Sequence, residues 1–347
     1  MKAMVVRAYG APEVICLEEV ATPEPGPGEV LIEVHAVTVN RARDTMIANG
    51  KPNKPETLPL VPGMDPAGKV VTLGTGVTEF AVGARVVVSS RVPCGDCRDC
   101  ADGRDGDCEN TFQLGIDRWG GYAEFVAAPV GNVNGIPDDL AFAEAAVFMR
   151  HFPTAFQLLD AKAGLQPGEC VLVMGCGGGL GSTGVQAAKL MGATVIAGAG
   201  ADERVAVGMD MGADYGVNYR TCDLTEEVMR ITGGNGVDLV FENISDPTTW
   251  PRALACLGHY GRLVTAGAHG GGTVPLDVYQ LYIHRWRIIG GAGAGARDVA
   301  RTLKLAGEGK LRTAIDHVLP LDGLHRAFDM LGSGAVKGKI VVDPSLG

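Results

Sequence analysis

Four cysteines form the most specific chemical pattern in the sequence. Cys94, Cys97 and Cys100 follow one another at intervals of three residues, and Cys108 comes shortly afterwards. Four thiolates at such spacing can surround a Zn²⁺ ion tetrahedrally and leave no position open for a substrate. The segment around them, about residues 92–110, is otherwise polar and can hardly be held together by apolar burial. We therefore predict one structural zinc ion bound by these four cysteines.

A glycine-rich turn is the second pattern that points to chemistry. Residues 170–174 have the apolar, branched character of a buried strand, and residues 185–192 are apolar at helical spacing. Between them lie Gly178, Gly179, Leu180 and Gly181. Such a turn lets the backbone approach a pyrophosphate, while the N-terminus of the following helix supplies free N–H groups and a positive dipole end. The pattern predicts a dinucleotide-binding site.

The elements before residue 130 are predicted to be mainly strands. Residues 30–37, 69–73 and 86–88 are rich in β-branched side chains and are bounded by glycine or proline, and residues 1–7 also favour a strand. No long helical period is evident in this part of the sequence. We expect a compact β-rich domain here, to which the C-terminal strand at 339–342 returns.

Strands and helices alternate after residue 140. A helix is expected over 140–163, with a kink or a restart at Pro153. The strands expected beyond the glycine turn are 193–198, 215–218, 237–241, 261–265 and 288–289. The helices expected there are 202–211, 224–231, 250–257, 299–306 and 324–331. Alternation of this kind predicts an α/β fold with a parallel, doubly wound sheet.

The composition restricts the classes of function. The chain has 347 residues and is 46% hydrophobic, which is enough for two domains with sizeable cores. Its net charge of −10 argues against nucleic acid or an anionic membrane as the main partner. The N-terminus is expected to be a strand rather than a signal peptide, so the nine cysteines favour thiols or metal ligands over disulfides. The expected location is cytoplasmic.

Taken together, the two halves resemble the medium-chain dehydrogenase/reductase superfamily over essentially the full length of the chain. Three elements carry the resemblance: the glycine turn, residues 62–68 at the family's Gly-His-Glu element, and the cysteine lobe. The resemblance implies a GroES-like β-rich catalytic domain, residues 1–130 and 297–347. It also implies a Rossmann nucleotide-binding domain, residues 131–296.

The chain departs from the family's zinc alcohol dehydrogenases at their catalytic zinc. Those enzymes use a Cys from an early loop, the His of Gly-His-Glu, and a later Cys or acid. Here Asn40 or Arg41 stands at the first position, Met64 at the second and Arg150 at the third. An arginine at a ligand position adds positive charge where the metal would lie. The resemblance therefore implies a family member without catalytic zinc, and such members are mostly reductases of activated double bonds.

The polar residues near these positions are the candidates for catalysis. They are Asn40, Arg41, Asp44, Asp65, Arg150 and His151. The asparagine and the arginines can donate hydrogen bonds to a developing enolate, the two acids can hold the loop and the arginines, and the histidine can deliver a proton near neutral pH. Structural alternatives exist for three of them: Asn40 as a turn cap, Asp65 as an arginine's partner, and His151 as a hydrogen-bonded helix residue.

NADPH is expected to be preferred over NADH. In NAD-binding Rossmann folds an acid at the end of the second strand bonds the adenine ribose, whereas residues 194–198 here run into small residues. Resemblance to NADPH-dependent quinone reductases implies that Arg204 and Tyr219 contact the 2′-phosphate. Asp202 and Glu203 oppose this assignment unless they face solvent. The other cofactor-binding residues of the predicted site are Asn243, Gly267 and Ala268.

The predicted function is hydride transfer from NADPH to an activated double bond of an enone, enoyl thioester or quinone. One alternative is a zinc-independent, NADP-dependent alcohol dehydrogenase or carbonyl reductase that uses His151 as its base. Another is a non-enzymatic NADPH-binding protein, similar to the lens crystallins that resemble quinone reductases. The expected partner is a small electrophile, and neither nucleic acid nor membrane. The strand near 288–289 resembles the edge at which relatives pair their sheets, which implies a homodimer or homotetramer.

Overall fold

A computed structural model describes residues 1–50, 58–333, 336 and 338–346, without the side chains of residues 41 and 42. The strands in this part of the chain are β1 (Lys2–Val6), β2 (Ile15–Glu19), β3 (Glu29–Thr38), β4 (Ala67–Leu73), β5 (Arg85–Val88), β6 (Arg91–Val92), β7 (Phe112–Gln113), β8 (Phe125–Pro129), β9 (Val133–Gly135), β10 (Cys170–Met174), β11 (Thr194–Ala199), β12 (Tyr215–Asn218), β13 (Val237–Glu242), β14 (Leu257–Thr265), β15 (Arg287–Gly290), β16 (Ile315–Leu319) and β17 (Lys339–Val342).

The helices of the same residues are α1 (Arg41–Ala48), α2 (Arg98–Ala101), α3 (Phe142–Phe156), α4 (Gly179–Leu190), α5 (Asp202–Asp210), α6 (Leu224–Ile231), α7 (Thr249–Ala255), α8 (Val278–Ile283), α9 (Ala296–Gly307) and α10 (Leu324–Ser333). Among the described residues, none of the helices has the length and apolar character needed to span a bilayer.

The chain divides into two compact units. The first unit contains residues 1–150 and 299–347, and the second contains residues 151–298. The C-terminal segment returns to the first unit as expected, because β17 pairs with β3 through Val341 and Thr38. These units differ from the predicted domains chiefly by the segment 131–150, and the domain limits themselves stay a prediction.

The first unit is built around a mixed, mostly antiparallel sheet. Its strand order is β16-β17-β3-β4-β5-β9, with β8 paired to β3, and only β16 and β17 run parallel within it. Val30, Ile32 and Val34 alternate along β3 and so share one face of the sheet, where they cluster with Val70 and Val86. The β-rich domain expected from the sequence is confirmed.

The helix α1 interrupts this β-rich unit and was not predicted. The backbone N–H of Asn40 donates to the Asp44 carboxylate at 2.9 Å across the first turn of the helix. Ile47 and Ala48, in its last turn, are fully buried. Two turns are too short to show a helical period in the sequence, and tertiary packing stabilises them.

The second unit contains a six-stranded parallel sheet. Its order is β12-β11-β10-β13-β14-β15, so the chain adds strands first on one side of β10 and then on the other. Val171, Leu172 and Val173 of β10 are fully buried, as expected of a strand covered on both faces. The predicted doubly wound sheet is confirmed. A ligand site is expected where the order reverses, at the carboxyl ends of β10 and β13.

The helix α3 continues through Pro153 and does not restart there. It is followed by a π-helical segment, Gln157–Lys162. Phe152 and Phe156 are fully buried on either side of the proline. We attribute the continuity of the helix to this packing, which offsets the backbone hydrogen bond that proline removes.

Candidate functional site

The four cysteines of the predicted zinc lobe lie together. All their sulfur atoms are within 4.8 Å of one another. Individual Sγ–Sγ distances are 3.5 Å between Cys94 and Cys108, 3.8 Å between Cys97 and Cys108, and 4.0 Å between Cys94 and Cys100. Four sulfurs bound to one Zn²⁺ at about 2.3 Å would be about 3.8 Å apart. The residues therefore fit a closed, tetrahedral zinc site.

The glycine turn is formed by the end of β10 and the start of α4. Gly178 precedes the helix, which begins with Gly179 and Leu180. A β-carbon on Gly181 would lie 2.1 Å from the carbonyl oxygen of Gly175, a distance that no side chain can adopt. A β-carbon on Gly178 would meet nothing closer than 3.4 Å. The turn is thus packed against its own backbone on one side, and a nucleotide pyrophosphate fits such a glycine-lined helix N-terminus.

Two candidate side chains pack against this turn. A β-carbon on Gly179 would lie 2.6 Å from Nε2 of His151, and one on Gly177 would lie 2.7 Å from the β-carbon of Arg204. The histidine is thus next to the turn within the second unit, whereas Arg150, its neighbour in α3, belongs to the first unit.

Two further side chains lie at the end of β11, where the second strand of a Rossmann unit meets the adenine ribose. A β-carbon on Gly200 would lie 3.0 Å from the ring of Tyr219 and 3.3 Å from Nε of Arg220. Burial raises the pKa of Tyr219, and the charges of Arg220 and Arg204 oppose that shift. Arg220 was not among the predicted site residues. Its position directly after Tyr219 was the available signal.

The two acids at the start of α5 face solvent. Asp202 and Glu203 are both exposed. Asp202 accepts a hydrogen bond from the side chain of Asn218 at 2.7 Å. The Asp202 carboxylate is thus hydrogen-bonded to a side chain of β12. Because both acids are exposed to solvent, they argue less strongly against a 2′-phosphate site.

The loop after β13 brings another candidate to the glycine turn. Asn243 is buried, and its Nδ2 donates to the carbonyl oxygen of Met174 at the end of β10. A β-carbon on Gly267 would lie 2.1 Å from the Asn243 carbonyl oxygen, so these two loops touch. Ala268, which follows, is exposed. These residues lie at the carboxyl ends of β13 and β14, where a cofactor site is expected.

A buried carboxylate that sequence reasoning missed holds this loop. Glu242 accepts hydrogen bonds from the backbone N–H of Ile244 at 2.9 Å, from that of Ser245 at 3.0 Å, and from the hydroxyl of Thr265 at 3.3 Å. Burial raises its pKa, and these donors counteract the shift. Glu242 therefore ties the end of β14 to the loop that contains Asn243.

Asp65 and Arg150 form an ion pair in the first unit. Nη1 of Arg150 lies 3.1 Å from the Asp65 carboxylate and 3.7 Å from the sulfur of Met64. Asp65 is buried, and its backbone has a positive φ of 56°. The N–H of Ser90 donates to the same carboxylate at 2.9 Å and holds it in place. Asp65 thus pairs with an arginine, which is the structural role that the sequence offered as the alternative to a catalytic one.

Asn40 and Asp44 belong to a second polar cluster in the first unit. Asp44 is buried and accepts hydrogen bonds from the backbone N–H of Asn40 at 2.9 Å and from the hydroxyl of Tyr122 at 2.7 Å. The Asn40 side chain does not cap α1. Its Nδ2 donates to the hydroxyl of Thr38 at 3.0 Å, and its Oδ1 accepts from Nζ of Lys339 at 3.0 Å. The side chain of Arg41 lies outside the described residues.

Several cationic side chains surround the Asp44 carboxylate. Burial raises the pKa of Asp44 to about 6, while hydrogen bonds and the charges of Arg150 and Lys339 lower it. Burial lowers the pKa of Lys339 to about 8, and Arg150 adds to that shift. Burial also lowers the pKa of Arg43, again with a contribution from Arg150. Lys339 and Tyr122 were not predicted, because each is far from Asn40 in sequence.

Comparisons with known proteins agree with this architecture. Residues 26–138 match the family model described as alcohol dehydrogenase GroES-like domain, and residues 179–308 match the one described as zinc-binding dehydrogenase. An NAD-dependent alcohol dehydrogenase from Sulfolobus acidocaldarius is 34% identical over 99% of both chains. A quinone oxidoreductase from Homo sapiens is 28% identical over 99% of this chain and 97% of its own.

A solved structure of an NAD-dependent alcohol dehydrogenase gives the same result. It superposes with a TM-score of 0.92 at 35% identity and covers 99% of both chains. Likeness of this extent, to alcohol dehydrogenases and to quinone oxidoreductases alike, covers both units and the segments that form the glycine turn and the cysteine lobe. The chain therefore belongs to the medium-chain dehydrogenase/reductase superfamily and is an oxidoreductase of that superfamily.

Proposed function

We propose that the protein is an NADPH-dependent reductase of activated double bonds in enones, enoyl thioesters or quinones, and that it works without catalytic zinc. The observation that carries the proposal is the ion pair of Arg150 with Asp65, beside Met64. Arg150 and Met64 occupy two of the three positions that supply zinc ligands in the family's zinc alcohol dehydrogenases. A guanidinium has no lone pair for a metal, and its charge repels one.

The charges around this ion pair support the same conclusion. Three cationic side chains, Arg43, Arg150 and Lys339, interact electrostatically in the cluster that contains the two buried carboxylates of Asp44 and Asp65. Such an environment disfavours a divalent cation. It favours an anionic oxygen, which is what a substrate carbonyl becomes when hydride adds to the conjugated carbon.

The reaction divides between the cofactor and the side chains. When bound, NADPH supplies the hydride, which forms a bond to the β-carbon, and the π electrons move to the carbonyl oxygen to give an enolate. In this proposal Asn40 and the arginines Arg41 and Arg150 donate hydrogen bonds to that oxygen. Asp44 and Asp65 hold Asn40 and Arg150, as their hydrogen bonds indicate.

The α-carbon then takes up a proton, which completes the reduction. We assign the proton to His151, because an imidazole exchanges protons near neutral pH. His151 lies next to Gly179 of the glycine turn, so it belongs to the same unit as the proposed cofactor site.

NADPH rather than NADH is part of the proposal. Arg204 and Arg220 both act electrostatically on Tyr219, beside the end of β11. An arginine binds phosphate through two parallel, charge-assisted hydrogen bonds, and NADH has no phosphate on this ribose. The relatives named NAD-dependent alcohol dehydrogenases make NADH the alternative.

A second candidate function is oxidation of alcohols or reduction of ketones. The names of the relatives favour it, among them an acetophenone reductase from Geotrichum candidum whose structure with NAD superposes with a TM-score of 0.86 at 28% identity. It would require His151 or another base in place of a catalytic zinc. We rank it second because the arginines and Met64 stand where that zinc would bind.

We further propose one structural zinc ion per chain at Cys94, Cys97, Cys100 and Cys108, on the fit of the sulfur distances to a tetrahedral site. We also propose a homodimer formed through β15, at the end of the parallel sheet. Neither proposal depends on the identity of the substrate.

The test of the main proposal is a screen of cofactor oxidation. Purified protein is assayed with NADPH and NADH against quinones, 2-enones, enoyl-CoA esters and saturated ketones, and in reverse with alcohols and NADP⁺. We expect turnover of activated double bonds that survives dialysis against a chelator. Turnover of saturated alcohols or ketones alone would establish the second candidate instead.

A further inference from the structure

Lys339 and Asn40 face each other across two paired strands. Strands β17 and β3 run antiparallel, with Val341 opposite Thr38. The same register continued by two residues places Lys339 opposite Asn40. The distance from Lys339 Nζ to Asn40 Oδ1 is 3.0 Å. The contact therefore follows from the pairing of β17 with β3, the strand that precedes Asn40.

This contact fixes the orientation of the Asn40 amide. Its Oδ1 accepts from Lys339, and its Nδ2 donates to the hydroxyl of Thr38 at 3.0 Å and to the Thr38 carbonyl oxygen at 3.3 Å. An ammonium group has only donors, and a carbonyl oxygen only accepts. A rotation of the amide by 180° would therefore place nitrogen against ammonium and oxygen against the carbonyl, which is unfavourable at both ends.

One N–H of the fixed amide is only weakly engaged. Nδ2 has two hydrogens, and its contact with the Thr38 carbonyl oxygen, at 3.3 Å, is longer than that with the Thr38 hydroxyl, at 3.0 Å. The N–H that makes the longer contact is the one for which a substrate oxygen can compete. The Asn40 side chain is only half-buried and does not cap α1. Capping of the helix therefore does not account for the hydrogen bonds of this side chain.

We propose that Lys339 is a positioning residue for Asn40: it fixes the amide so that one Asn40 N–H is presented to the carbonyl oxygen of the substrate. The inference rests on the proposed reductase function and adds to it a residue from the other end of the chain. Lys339 acts through Asn40. Arg150 and Asp44 interact electrostatically with Lys339, and Lys339 donates to the Asn40 amide.

A double-mutant cycle tests the inference. The variants are Lys339→Met, Lys339→Arg, Asn40→Ala and the double variant Asn40→Ala/Lys339→Met, each checked for native folding by thermal unfolding. We expect Lys339→Met to lower kcat for an enone or quinone about tenfold, with the KM for NADPH nearly unchanged. Lys339→Arg, which keeps a donor, should recover part of the loss. In the Asn40→Ala background, Lys339→Met should have no further effect.

Two kinetic outcomes would overturn the inference. If the effects of the two single changes multiply in the double variant, Lys339 does not act through Asn40. If Lys339→Met chiefly raises the KM for NADPH, the lysine serves the cofactor.

A spectroscopic measurement keeps this test separate from that of the proposed function. In protein labelled with ¹⁵N-asparagine, the Asn40 side-chain amide signals are identified by their loss in Asn40→Ala. We expect them to shift in Lys339→Met and to be largely restored in Lys339→Arg, with the signals of Asn243 unchanged. Unshifted signals would overturn the inference. A wild type that reduces no activated double bond, while these signals shift as expected, would overturn the proposed function and leave the lysine–asparagine coupling established.

Discussion

At the scale of single residues, the Asp44 carboxyl shows how burial and hydrogen bonding compete. Both of its donors, the backbone N–H of Asn40 and the hydroxyl of Tyr122, bind the same oxygen, Oδ2. Burial still dominates and raises the pKa from 3.8 to about 6. The folded protein therefore binds this proton more tightly than the unfolded chain. Its contribution to stability is present below the unfolded pKa and is lost as the pH rises through the folded one.

The raised pKa of Asp44 predicts how the stability of an Asp44→Asn variant differs from that of the wild type with pH. An amide oxygen can accept from the same two donors and does not titrate. The difference in unfolding free energy, variant minus wild type, should increase between about pH 4 and pH 7.5, by at most about 3 kcal/mol for a shift of about two units. Urea unfolding at several pH values measures it. Tyr122→Phe removes a hydrogen bond to the ionised Asp44 carboxylate, which should raise the pKa of Asp44 further. The pH at which this group's contribution to stability is lost should therefore be higher than in the wild type. A difference that does not vary with pH would contradict the assignment.

The arginines near the end of β11 give a second residue-scale prediction, on cofactor choice. We expect Arg204→Ala and Arg220→Ala each to weaken the use of NADPH by about 1.5–3 kcal/mol, about tenfold or more in kcat/KM, and to leave NADH nearly unchanged. The reason is loss of a charge-assisted hydrogen bond that only the phosphate accepts. Steady-state kinetics with both cofactors measure it.

A matched control is Arg230→Ala, which removes an exposed arginine of α6 that pairs with Glu227. It should not change the preference. A wild type that prefers NADH, or an equal loss with both cofactors in Arg204→Ala, would exclude a 2′-phosphate site at this position.

Elements were predicted well where their signal is local. The strand Tyr215–Asn218, the helix Leu224–Ile231 and the strand Lys339–Val342 have the bounds expected from the sequence. The helix α8 was not predicted, although Asp277 caps it by accepting from the N–H of Gln280 at 3.1 Å. Six residues are too few to display a helical period, and the cap alone was the available signal.

The functional clusters show the limit of such reasoning. Asn40, Asp44 and Asp65 were identified from residue type and family position. Lys339 and Tyr122 were not, because the pairing of β17 with β3 brings Lys339 to Asn40, and Tyr122 reaches Asp44 from a segment 78 residues away in the sequence. The sequence thus identified Asn40 and Asp44, but not Lys339 and Tyr122, which bind them.

The glycine turn allows a prediction at the scale of an element, since two of its glycines differ in their surroundings. Gly181→Ala places a β-carbon 2.1 Å from the Gly175 carbonyl oxygen, whereas Gly178→Ala meets nothing closer than 3.4 Å and has a φ of −89°. We expect Gly181→Ala to destabilise the protein by about 2–4 kcal/mol and Gly178→Ala by less than about 1 kcal/mol. Chemical unfolding of both variants compares them. Equal stability of the two variants would show that the backbone of the turn moves to accommodate the added β-carbon at residue 181.

The cysteine lobe is the element whose stability should depend on metal. We expect one zinc ion per chain by elemental analysis, and Cys97→Ser should lose it and lower the melting temperature, with any loss of activity indirect. Cys222→Ser, which replaces an exposed cysteine outside the lobe, is the control and should retain both. Two zinc ions per chain in the wild type would contradict the proposed absence of a catalytic zinc.

At the scale of the whole molecule, the edge of the parallel sheet predicts how copies of the chain associate. Strand β15 ends the sheet, with β14 as its partner, and Ile288 on it is 38% exposed. Three large apolar side chains of the preceding helix α8 are also exposed, at 58–61%: Val278, Tyr279 and Tyr282. An unpaired edge strand beside an exposed apolar patch favours pairing with a second copy.

We therefore expect a homodimer with a mass twice the 36.0 kDa of the chain, or a tetramer built from such dimers, in light scattering at micromolar concentration. Ile288→Lys should shift the mass towards the monomer, because a lysine on an edge strand opposes strand pairing and costs little at an exposed position of the monomer. Val82→Lys, at a residue of the first unit that is 64% exposed, should leave the mass unchanged. A monomeric wild type would exclude the association, and an Ile288→Lys variant that remains dimeric would place the interface elsewhere on the surface.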